Sequence, residues 1–505
     1  MATSPPTLAI SPEAAQAPLV LALDIGSTAS RGGLYDAGGR PIEGSKQRQA
    51  HEFTKAADGT STIDADQVYE ECARIVEGIV DFADAAGLAE EIRGVALDTF
   101  ASSLVLTAAN KKGKQRAISP CYTYADARSH AQVEQLRREL DEQEYHARTG
   151  VRLHTSYLPS RILWLRETQP ELLEQADQLM SLGEYVYYRL AGVRGLARST
   201  AAWAGILDAH SAELDQPILD HVQANPEWFA ELKDPDEPSR STRKKVAKNW
   251  PCLAAAKWFH AIPDGWASNV GPGAVDPRTV AVAAATSGAM RVILDEVPER
   301  IPEGLWCYRL SRSSCILGGA LNDVGRAISW LAETITPVEN LGEVLSGPPL
   351  AGTPLVVPFF SGERATGWAT QATASFTGLT ASSGPAHLWR GTVDGLAISY
   401  ARIWEQLLEA GAQPERVVAS GSVTTKHPEW LQCLANALSI PVISAEMKRV
   451  TLRGTALIAL AQLAPDAGSV ELPEGRVYEQ LAGTGEHYGQ LRQKFEEQYR
   501  VNLEM

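Results

Sequence analysis

Two short turns of glycine and hydroxyl residues are the parts of this sequence best suited to chemistry. Gly26-Ser27-Thr28 follows the apolar run at residues 19–23, and Thr286-Ser287-Gly288 follows the apolar run at residues 279–285. A turn of this composition presents backbone N–H groups and hydroxyls with no bulky side chain in the way, which suits phosphate oxygens. Neither turn fits the standard Gly-rich nucleotide-binding patterns, so the phosphate-binding hypothesis depends on finding two matched turns.

Charged residues near these turns could complete a site for phosphoryl transfer. Asp24 directly precedes the first turn and could orient Mg²⁺, which prefers oxygen ligands and keeps several of its waters. Arg31, beyond the turn, could neutralise charge on a transferred phosphoryl group. Transfer to an alcohol also needs a base near the acceptor hydroxyl. Asp264, a lone acid shortly before the second turn, is the best candidate, although its Asp-Gly pair is also common in plain turns.

Each turn is predicted to join two strands of a hairpin, because β-prone apolar residues precede and follow it. This strand–turn–strand pattern occurs twice, once near the start of each half of the chain. The repetition predicts an α/β protein of two similar domains that flank a central cleft. Gly, Pro and Asp cluster at residues 271–276. We therefore predict a disordered tail at residues 1–17, an N-terminal domain at 18–272 and a C-terminal domain at 273–505.

Other segments predict the elements that position these turns. A helix is predicted to begin at Asp64, with Gln67 as its capping-box partner, because the apolar residues that follow recur near helical spacing. Those apolar residues are Val68, Cys72, Ile75, Ile79 and Phe82. A helical pattern also runs over residues 160–190, and the charged, proline-bearing segment 234–248 predicts a surface loop.

The bulk composition excludes several classes of function. The 505 residues predict two large domains, and the net charge of −15 disfavours binding to nucleic acid or to an anionic membrane. The six scattered cysteines are typical of free thiols in a reducing compartment. Residues 1–17 lack the features of a signal peptide, and no segment approaches the roughly 20 apolar residues that cross a bilayer. These features predict a cytoplasmic protein whose partner is a small molecule.

Several motifs, in order and spacing, resemble the FGGY family of carbohydrate kinases over residues 19 to about 463. Residues 23–31 resemble the family's first phosphate loop, Asp264-Gly265 the segment with the catalytic base, and residues 285–289 the second phosphate loop. Residues 419–422, with Pro428 and residues 430–432, resemble the adenosine-binding segment, and residues 453–457 resemble the small-residue start of a helix. The resemblance implies two actin-like (ribonuclease-H-like) domains.

The resemblance also implies ATP and Mg²⁺ as cofactors and a role for each matching residue. The phosphates would be met by Gly26, Ser27, Thr28, Arg31, Thr286, Ser287 and Gly288, adenosine by Gly421 and Ser422, and Mg²⁺ by Asp24. The sugar would be met by Ser102, Asp126, Arg128, Ser156, Tyr157 and Asp264, the last of which would also be the general base. The oligomeric state is left open, with a homodimer as one arrangement.

Within the family, the resemblance is to the gluconate and xylulose kinase branch. The segments that carry it are residues 122–128, 154–159, 304–308 and 358–364. It implies transfer of the γ-phosphoryl group of Mg-ATP to D-gluconate, giving 6-phosphogluconate, with a ketose or polyol such as D-xylulose, D-ribulose or erythritol as the alternative. Arg128 could bind the carboxylate of a sugar acid bidentately, or it could form a salt bridge with an acid such as Asp126.

Two hypotheses of other classes remain. A catalytically silent sugar or nucleotide sensor is favoured by Ala285 and Ser422, which stand where the family usually has glycine, and is disfavoured by the presence of Asp264. An ATPase or chaperone-like member of the actin-type fold would lack a sugar pocket. Residues 100–103 are candidates for such a pocket and therefore disfavour this hypothesis. Ser102 stands where many relatives carry a histidine that contacts sugar, which leaves the identity of the sugar open.

Overall fold

The computed structural model describes residues 8–445, 447, 450–472 and 475–504, which divide into two compact units. The first unit comprises Met1–Gly271, Cys307–Cys315 and Arg449–Glu471, and the second comprises Pro272–Trp306, Ile316–Lys448 and Leu472–Met505. A single boundary at residue 272 therefore omits two later segments of the first unit. One is held by the Cys307 N–H, which donates to the Gly150 carbonyl (2.9 Å), and the other contributes a helix that covers the first sheet.

Strands and helices are mixed along both halves of the chain. The strands before residue 272 are β1 (Leu19–Ile25), β2 (Ala29–Tyr35), β3 (Gln47–Ala50), β4 (Thr54–Lys55), β5 (Ser61–Ile63), β6 (Ile92–Thr99), β7 (Val105–Ala109), β8 (Gln115–Ala117), β9 (Cys121–Tyr122), β10 (Gln178–Met180), β11 (Leu196–Ala197), β12 (Leu232–Lys233), β13 (Ser239–Arg240), β14 (Lys257–Trp258) and β15 (Ile262–Pro263). The helices there are α1 (Ala65–Ala85), α2 (His130–Glu139), α3 (Glu142–Thr149), α4 (Leu158–Thr168), α5 (Pro170–Glu174), α6 (Leu182–Ala191), α7 (Arg198–Trp203), α8 (Gln216–His221), α9 (Lys244–Asn249) and α10 (Asp264–Val270).

The later part of the chain continues this mixture. Its strands are β16 (Thr279–Ala284), β17 (Gly288–Leu294), β18 (Trp306–Ser311), β19 (Ser314–Leu321), β20 (Leu355–Val357), β21 (Ser375–Thr377), β22 (Arg416–Ser420), β23 (Val442–Ser444) and β24 (Val477–Tyr478). Its helices are α11 (Gly325–Thr334), α12 (Leu341–Ser346), α13 (Pro385–Glu409), α14 (Ser422–Lys426), α15 (Leu431–Leu438), α16 (Val450–Leu463) and α17 (Thr484–Glu504). Single 3₁₀ turns lie at Pro12–Ala14, Ala89–Glu91, Pro226–Trp228, Pro251–Leu253 and Pro428–Trp430.

The main sheet of the first unit is covered on both faces. Its strands follow the order β13-β14-β6-β1-β2-β3, and β15 pairs with β6 beyond β14. Odd-numbered residues of β1 from Leu19 to Ile25 join the core that includes α1 and α6, whereas Val20 and Ala22 join the core that includes α16. Because alternate side chains of a strand point to opposite faces, a strand buried on both faces is apolar almost throughout, as β1 is.

Helix α1 begins where the sequence predicts. The Asp64 side chain accepts hydrogen bonds from the N–H groups of Asp66 (2.8 Å) and Gln67 (3.1 Å), which satisfies two donors of the first turn. The predicted capping box is incomplete. Its second half requires the Gln67 side chain to bond the backbone N–H of Asp64, but the Gln67 amide donates to Glu71 one turn later (3.0 Å). The predicted apolar stripe lies in the core, with Phe82 packed at its margin.

The two predicted hairpins are confirmed, and their surroundings share one pattern. β1 pairs antiparallel with β2 and parallel with β6. In the second unit, where the strands follow the order β19-β17-β16-β22-β23-β24, β16 pairs antiparallel with β17 and parallel with β22. Residues 26–28 form the first turn and residues 285–287 form the second. In each unit, a turn and the carboxyl end of a parallel strand therefore lie side by side.

Three predictions on local structure differ from the structure. Residues 160–190 are not one helical stretch, because Pro170 starts a new helix and β10 pairs with β7. The segment 234–248, predicted as a loop, contains β13 and the start of α9. Residues 8–17 are not a disordered tail, since the Ile10 N–H donates to Pro41 (3.0 Å) and the Ala37 N–H to Gln16 (2.8 Å). Residues 1–7 of that predicted tail lie outside the described residues.

Within the described ranges, no helix combines the length and the apolar character that crossing a membrane requires.

The Glu184 carboxyl group should make the stability of the folded protein depend on pH. It accepts a hydrogen bond from the Ser181 N–H (2.8 Å) in the capping box of α6. Loss of solvation inside the protein raises the pKa of Glu184 from 4.5 to about 7, although the bonds to Ser181 favour the charged form. A carboxyl pKa that is higher in the folded than in the unfolded state costs stability as the pH rises through this interval.

We therefore expect Glu184→Gln, which keeps the acceptor, to raise the Tm relative to the wild type at about pH 8 and to leave it unchanged at about pH 4. Thermal unfolding across this range measures the difference. A constant difference in Tm at all pH values would contradict the assignment of this group.

Candidate active site

Three acidic residues converge at one edge of the first unit's sheet. Asp24 lies near the carboxyl end of β1, and its partner in the parallel register is Asp98 of β6. Asp264 follows β15 directly and is the first residue of α10, and the preceding Pro263 is paired with Thr99. Because the carboxyl ends of parallel strands meet at one edge of a sheet, three distant segments place their carboxyl groups together.

The burial of Asp98 dominates the electrostatics of this edge. Loss of solvation, followed by the charge of Asp24, raises the pKa of Asp98 well above its usual range, and the charge of Asp264 adds to the effect. The Thr455 hydroxyl donates to Asp98 Oδ2 and works in the opposite direction. Burial and the two acidic neighbours thus disfavour the charged form of Asp98.

The first turn exposes the groups that the phosphate hypothesis needs. Ser27 and Thr28 are exposed between buried strands, and the Gly26 N–H closes the turn on the Ala29 carbonyl (3.1 Å). Arg31, opposite Asp24 in the hairpin register, directs its Nη1 at Asp24 Oδ2 (3.3 Å). The Arg31 side chain is 30% exposed, so a ligand phosphate can compete for its donors.

A buried arginine joins the three segments that were predicted to bind sugar. Arg161 on α4 is 2% exposed, and its guanidinium donates to the backbone carbonyls of Ser102, Thr123 (2.6 Å) and Thr155 (3.0 Å). Burial lowers the pKa of Arg161 to about 10, so it remains charged at neutral pH, and the nearby Asp126 partly offsets this effect. The three nitrogens of one planar group thus hold loops that are far apart in sequence.

Ser102 lies where these loops meet the segment of Asp264. Its φ of 57° is in the left-handed region, which is uncommon for a residue other than glycine, and its hydroxyl donates to the Trp203 carbonyl. The Trp203 ring packs near Gly265, where an added Cβ would approach it to 3.4 Å, and stacks on Tyr308 with 3.9 Å between ring centroids. An aromatic cluster therefore lies next to the predicted base.

Asp126 and Arg128 form an ion pair, which was one of the two interpretations of Arg128. Arg128 donates to both oxygens of Asp126 (3.0 and 2.7 Å), and the Ser61 N–H also donates to Asp126 (3.0 Å). The Arg128 guanidinium lies 4.5 Å from the centre of the Trp164 ring, which favours the cation further. Its side chain is 20% exposed, so the ion pair leaves part of the guanidinium at the surface.

The remaining predicted sugar residues also make internal contacts. The Ser156 hydroxyl donates to the Tyr124 carbonyl (2.9 Å) and lies 3.0 Å from His154 Nδ1. The hydroxyls of Tyr157 and Tyr308 are hydrogen-bonded to each other (2.7 Å). These contacts place Ser156 and Tyr157 in the same network of loops as Ser102, and their roles in binding sugar stay predictions.

The second unit carries the other predicted phosphate turn. Thr286 and Ser287 are exposed, and the N–H groups of Gly325 and Arg326 at the start of α11 donate to the Ala285 (2.8 Å) and Thr286 (3.3 Å) carbonyls. The start of a helix is thus joined to the turn.

The predicted nucleotide glycines of this unit have packing roles as well. A Cβ at Gly288 would collide with the Tyr400 hydroxyl, and a Cβ at Gly421 would collide with the Ala284 carbonyl. Gly421 also has a φ of 116°, which strongly favours glycine, and it places exposed Ser422 at the carboxyl end of β22.

The donor sets of both turns fit Mg-ATP. In the first unit, exposed hydroxyls and the Arg31 cation lie beside the Asp24 carboxylate, an oxygen ligand of the type that Mg²⁺ prefers. In the second unit, the exposed hydroxyls of Thr286 and Ser287 lie beside the Ser420–Gly421 end of β22 in the same sheet. Small residues and hydroxyls, with no bulky side chain on either turn, leave room for phosphate oxygens.

Sequence reasoning missed Asp98, Arg161 and the Trp203–Tyr308 stack. The position of Asp98 directly after the apolar residues 95–97 is a signal that could have indicated it. No local signal marks Arg161, because its three carbonyl partners belong to other parts of the chain. The stack joins residues 105 positions apart, which a pattern of neighbouring residues cannot show.

Known proteins resemble the chain over nearly its whole length. A gluconokinase from Bacillus subtilis (strain 168) is 23% identical over 457 residues, which cover 87% of each chain. A xylulose kinase from Lactococcus lactis subsp. lactis (strain IL1403) is 21% identical over 440 residues, 86% of this chain and 84% of the relative. The crystal structure of a gluconate kinase from Lactobacillus acidophilus superimposes with a TM-score of 0.85 at 21% identity, covering 96% of this chain and 98% of that one.

Family models account for both halves of the sequence. The N-terminal domain of the FGGY family of carbohydrate kinases matches residues 19–271, and the C-terminal domain of the same family matches residues 286–463. The predicted α/β fold of two actin-like (ribonuclease-H-like) domains is confirmed. Because the two matches together span most of its length, the chain belongs to the FGGY family of carbohydrate kinases.

Proposed function

We propose that this carbohydrate kinase transfers the γ-phosphoryl group of Mg-ATP to a hydroxyl of D-gluconate in the cytoplasm, giving 6-phosphogluconate. The observation that carries the proposal is the convergence of Asp24, Asp98 and Asp264 beside an exposed Gly-Ser-Thr turn. A sugar kinase needs a base, a metal-orienting carboxylate and phosphate donors at one place, and this sheet edge offers residue types suited to all three.

Each residue at the edge has a distinct task in this proposal. Mg²⁺, when bound with ATP, supplies charge neutralisation at the phosphate oxygens. Asp24 orients the metal. The Arg31 guanidinium leaves Asp24 and donates to the phosphoryl oxygens instead. The oxygen of the sugar hydroxyl bonds to the γ-phosphorus while the bond from that phosphorus to the β–γ bridging oxygen breaks and ADP leaves. Asp264 accepts the proton of the sugar hydroxyl. Asp98, whose charged form is disfavoured by burial, limits the negative charge that the incoming phosphates meet.

Residues of the second unit are also proposed to bind the nucleotide. We assign phosphate binding to Thr286, Ser287 and Gly288, and adenosine binding to Gly421 and Ser422. The matched hairpins support this assignment, since in both units an exposed hydroxyl turn lies next to the end of a parallel strand. The first turn, Gly26 to Thr28, serves the γ-phosphate in the same proposal.

The choice of D-gluconate depends on the relatives and on one cation. A gluconokinase and a gluconate kinase are among the similar proteins, at 23% and 21% identity. The Arg128 guanidinium, paired with Asp126, remains partly exposed and can offer donors to the carboxylate of a sugar acid. Ser102, Asp126, Ser156 and Tyr157 complete the proposed sugar site. A xylulose kinase among the relatives keeps a ketose such as D-xylulose or D-ribulose, or a polyol such as erythritol, as the alternative.

Replacement of Arg128 by leucine tests the carboxylate assignment. We expect the KM for D-gluconate to rise by about tenfold or more, because a charge-assisted hydrogen bond to the sugar acid is lost, while kcat/KM for an uncharged ketose changes by less than about threefold. Steady-state kinetics on both substrates measure the two effects. Equal losses for both substrates would mean that Arg128 acts only through its ion pair with Asp126.

Coupled release of ADP tests the function itself. The acceptor panel contains D-gluconate, D-xylulose, D-ribulose, L-ribulose, erythritol, glycerol and no sugar, each with Mg-ATP. Release with D-gluconate alone supports the proposal, and release with another acceptor names the alternative substrate. ADP release without sugar would indicate an ATPase. Absence of turnover on any acceptor, with nucleotide binding still seen by calorimetry, would indicate a silent sensor.

A further inference from the structure

A buried histidine, His51, forms hydrogen bonds with the first phosphate turn at two points. His51 Nε2 lies 2.8 Å from the Gly26 carbonyl oxygen, and the backbone N–H of His51 donates to the Thr28 carbonyl (3.2 Å). The His51 side chain has no exposed surface. One residue, far from the turn in sequence, therefore binds the carbonyls at both ends of Gly26-Ser27-Thr28.

The His51 ring is itself held by a buried carboxylate. His51 Nδ1 lies 2.8 Å from Glu71 Oε2 on α1, and Glu71 also accepts hydrogen bonds from Ser30 Oγ (3.0 Å) and Gln67 Nε2 (3.0 Å). Burial opposes the charged form, but the bonds from His51, Gln67 and Ser30 prevail and lower the pKa of Glu71. The Gly26 carbonyl oxygen can only accept, so the hydrogen bond to it requires a proton on His51 Nε2.

This arrangement decides which groups of the turn face outward. The carbonyls of Gly26 and Thr28 are engaged by His51, whereas the Ser27 and Thr28 side chains are exposed. Carbonyl oxygens would repel a phosphate, and hydroxyls and N–H groups attract it. A turn that already has this orientation does not need to lose conformational freedom when the ligand binds.

We propose that His51, oriented by Glu71, is a positioning residue that holds the first turn in the shape that binds phosphate. The proposal rests on the proposed function, since it names a residue that supports the phosphate turn. His51 and Glu71 act through the Gly26 and Thr28 carbonyls and need not touch the nucleotide or the sugar.

The test compares variants that keep or remove the ring donor. His51→Phe retains a buried ring without N–H groups, His51→Gln retains one amide donor of similar reach, and Glu71→Gln removes the orienting charge. His146→Phe, at a buried histidine on α3, controls for general destabilisation. The readouts are the KM for Mg-ATP, the KM for the sugar, kcat, the Kd of Mg-ADP by calorimetry, and the Tm.

His51→Phe is expected to raise the KM for Mg-ATP and the Kd of Mg-ADP by about tenfold, with the KM for the sugar within about twofold of wild type. His51→Gln is expected to recover part of this loss, and Glu71→Gln to show a smaller loss of the same kind. His146→Phe is expected to change the Tm without this selective loss.

Nucleotide affinity unchanged in folded His51→Phe would overturn the proposal, as would a loss of the same size for nucleotide and sugar. If His51→Phe fails to fold, Glu71→Gln decides by the same criterion. If the wild type releases no ADP with any sugar, the proposed function fails, and the Kd of Mg-ADP alone still tests the role of His51. A wild type that binds no nucleotide would overturn both proposals.

Discussion

Asp264→Asn is expected to lower kcat by about a thousandfold or more while the Kd of Mg-ADP stays within about threefold of the wild type. Asparagine keeps the size and polarity of the side chain but cannot accept the proton of the sugar hydroxyl. Asp264 starts α10 at the edge where Asp24 and Asp98 lie, so the change also lowers the negative charge there. Nucleotide binding is therefore expected to be kept or slightly strengthened, which separates loss of the base from loss of the site.

Single-turnover phosphorylation of the sugar and calorimetry with Mg-ADP measure these two quantities. Asp81→Asn, an exposed aspartate on α1, is the matched control and should behave as the wild type. If Asp264→Asn kept kcat within about tenfold of the wild type, the base would have to be sought elsewhere.

Arg161→Lys is expected to raise the KM for the sugar by about a hundredfold and to lower the free energy of unfolding by roughly 3 kcal/mol. The Arg161 guanidinium serves three carbonyls in three separate loops. Lysine carries the same charge but presents a single point of donors, so it cannot reach Ser102, Thr123 and Thr155 together. The loops that hold the proposed sugar residues should lose their mutual arrangement, whereas the first turn, at residues 26–28, is held by other contacts.

Urea unfolding and steady-state kinetics with sugar and nucleotide varied separately test this expectation. Arg309→Lys is a close control, because Arg309 is also buried and donates to the carbonyls of Ala209, His210 and Arg312 in the first unit. Both variants should be destabilised, but only Arg161→Lys should raise the KM for the sugar selectively. Comparable sugar KM values for the two variants would show that Arg161 supports stability alone.

Local patterns predicted much of the framework that positions the site. The hairpins around residues 26–28 and 285–287 followed from short apolar runs broken by small polar residues, and the start of α1 followed from Asp64. These features depend on neighbouring residues, whose propensities act over a few positions. Asp24 and Asp264 were also selected from local context, and the structure places both at one edge of the sheet.

The predictions that failed depended on distant partners. The helical pattern over residues 160–190 is interrupted by β10, which exists because β7 supplies its hydrogen-bonding partner. Residues 8–17 are ordered because the Pro41 carbonyl accepts a hydrogen bond from the Ile10 N–H and the Ala37 N–H donates one to the Gln16 carbonyl. Neither partner can be identified from the composition of the segment itself.

By itself, the sequence determined the α/β class, the two matched hairpins, the acidic and small-residue character of the site, and the family to which its motifs belong. Only the tertiary structure decided that Asp98 joins Asp24 and Asp264, that Arg161 joins the loops proposed to bind sugar, and that His51 contacts the first turn. The physical reason is that propensity and periodicity act between neighbours along the chain. A buried charge or carbonyl, in contrast, must find its partner wherever the packed fold brings one within hydrogen-bonding distance.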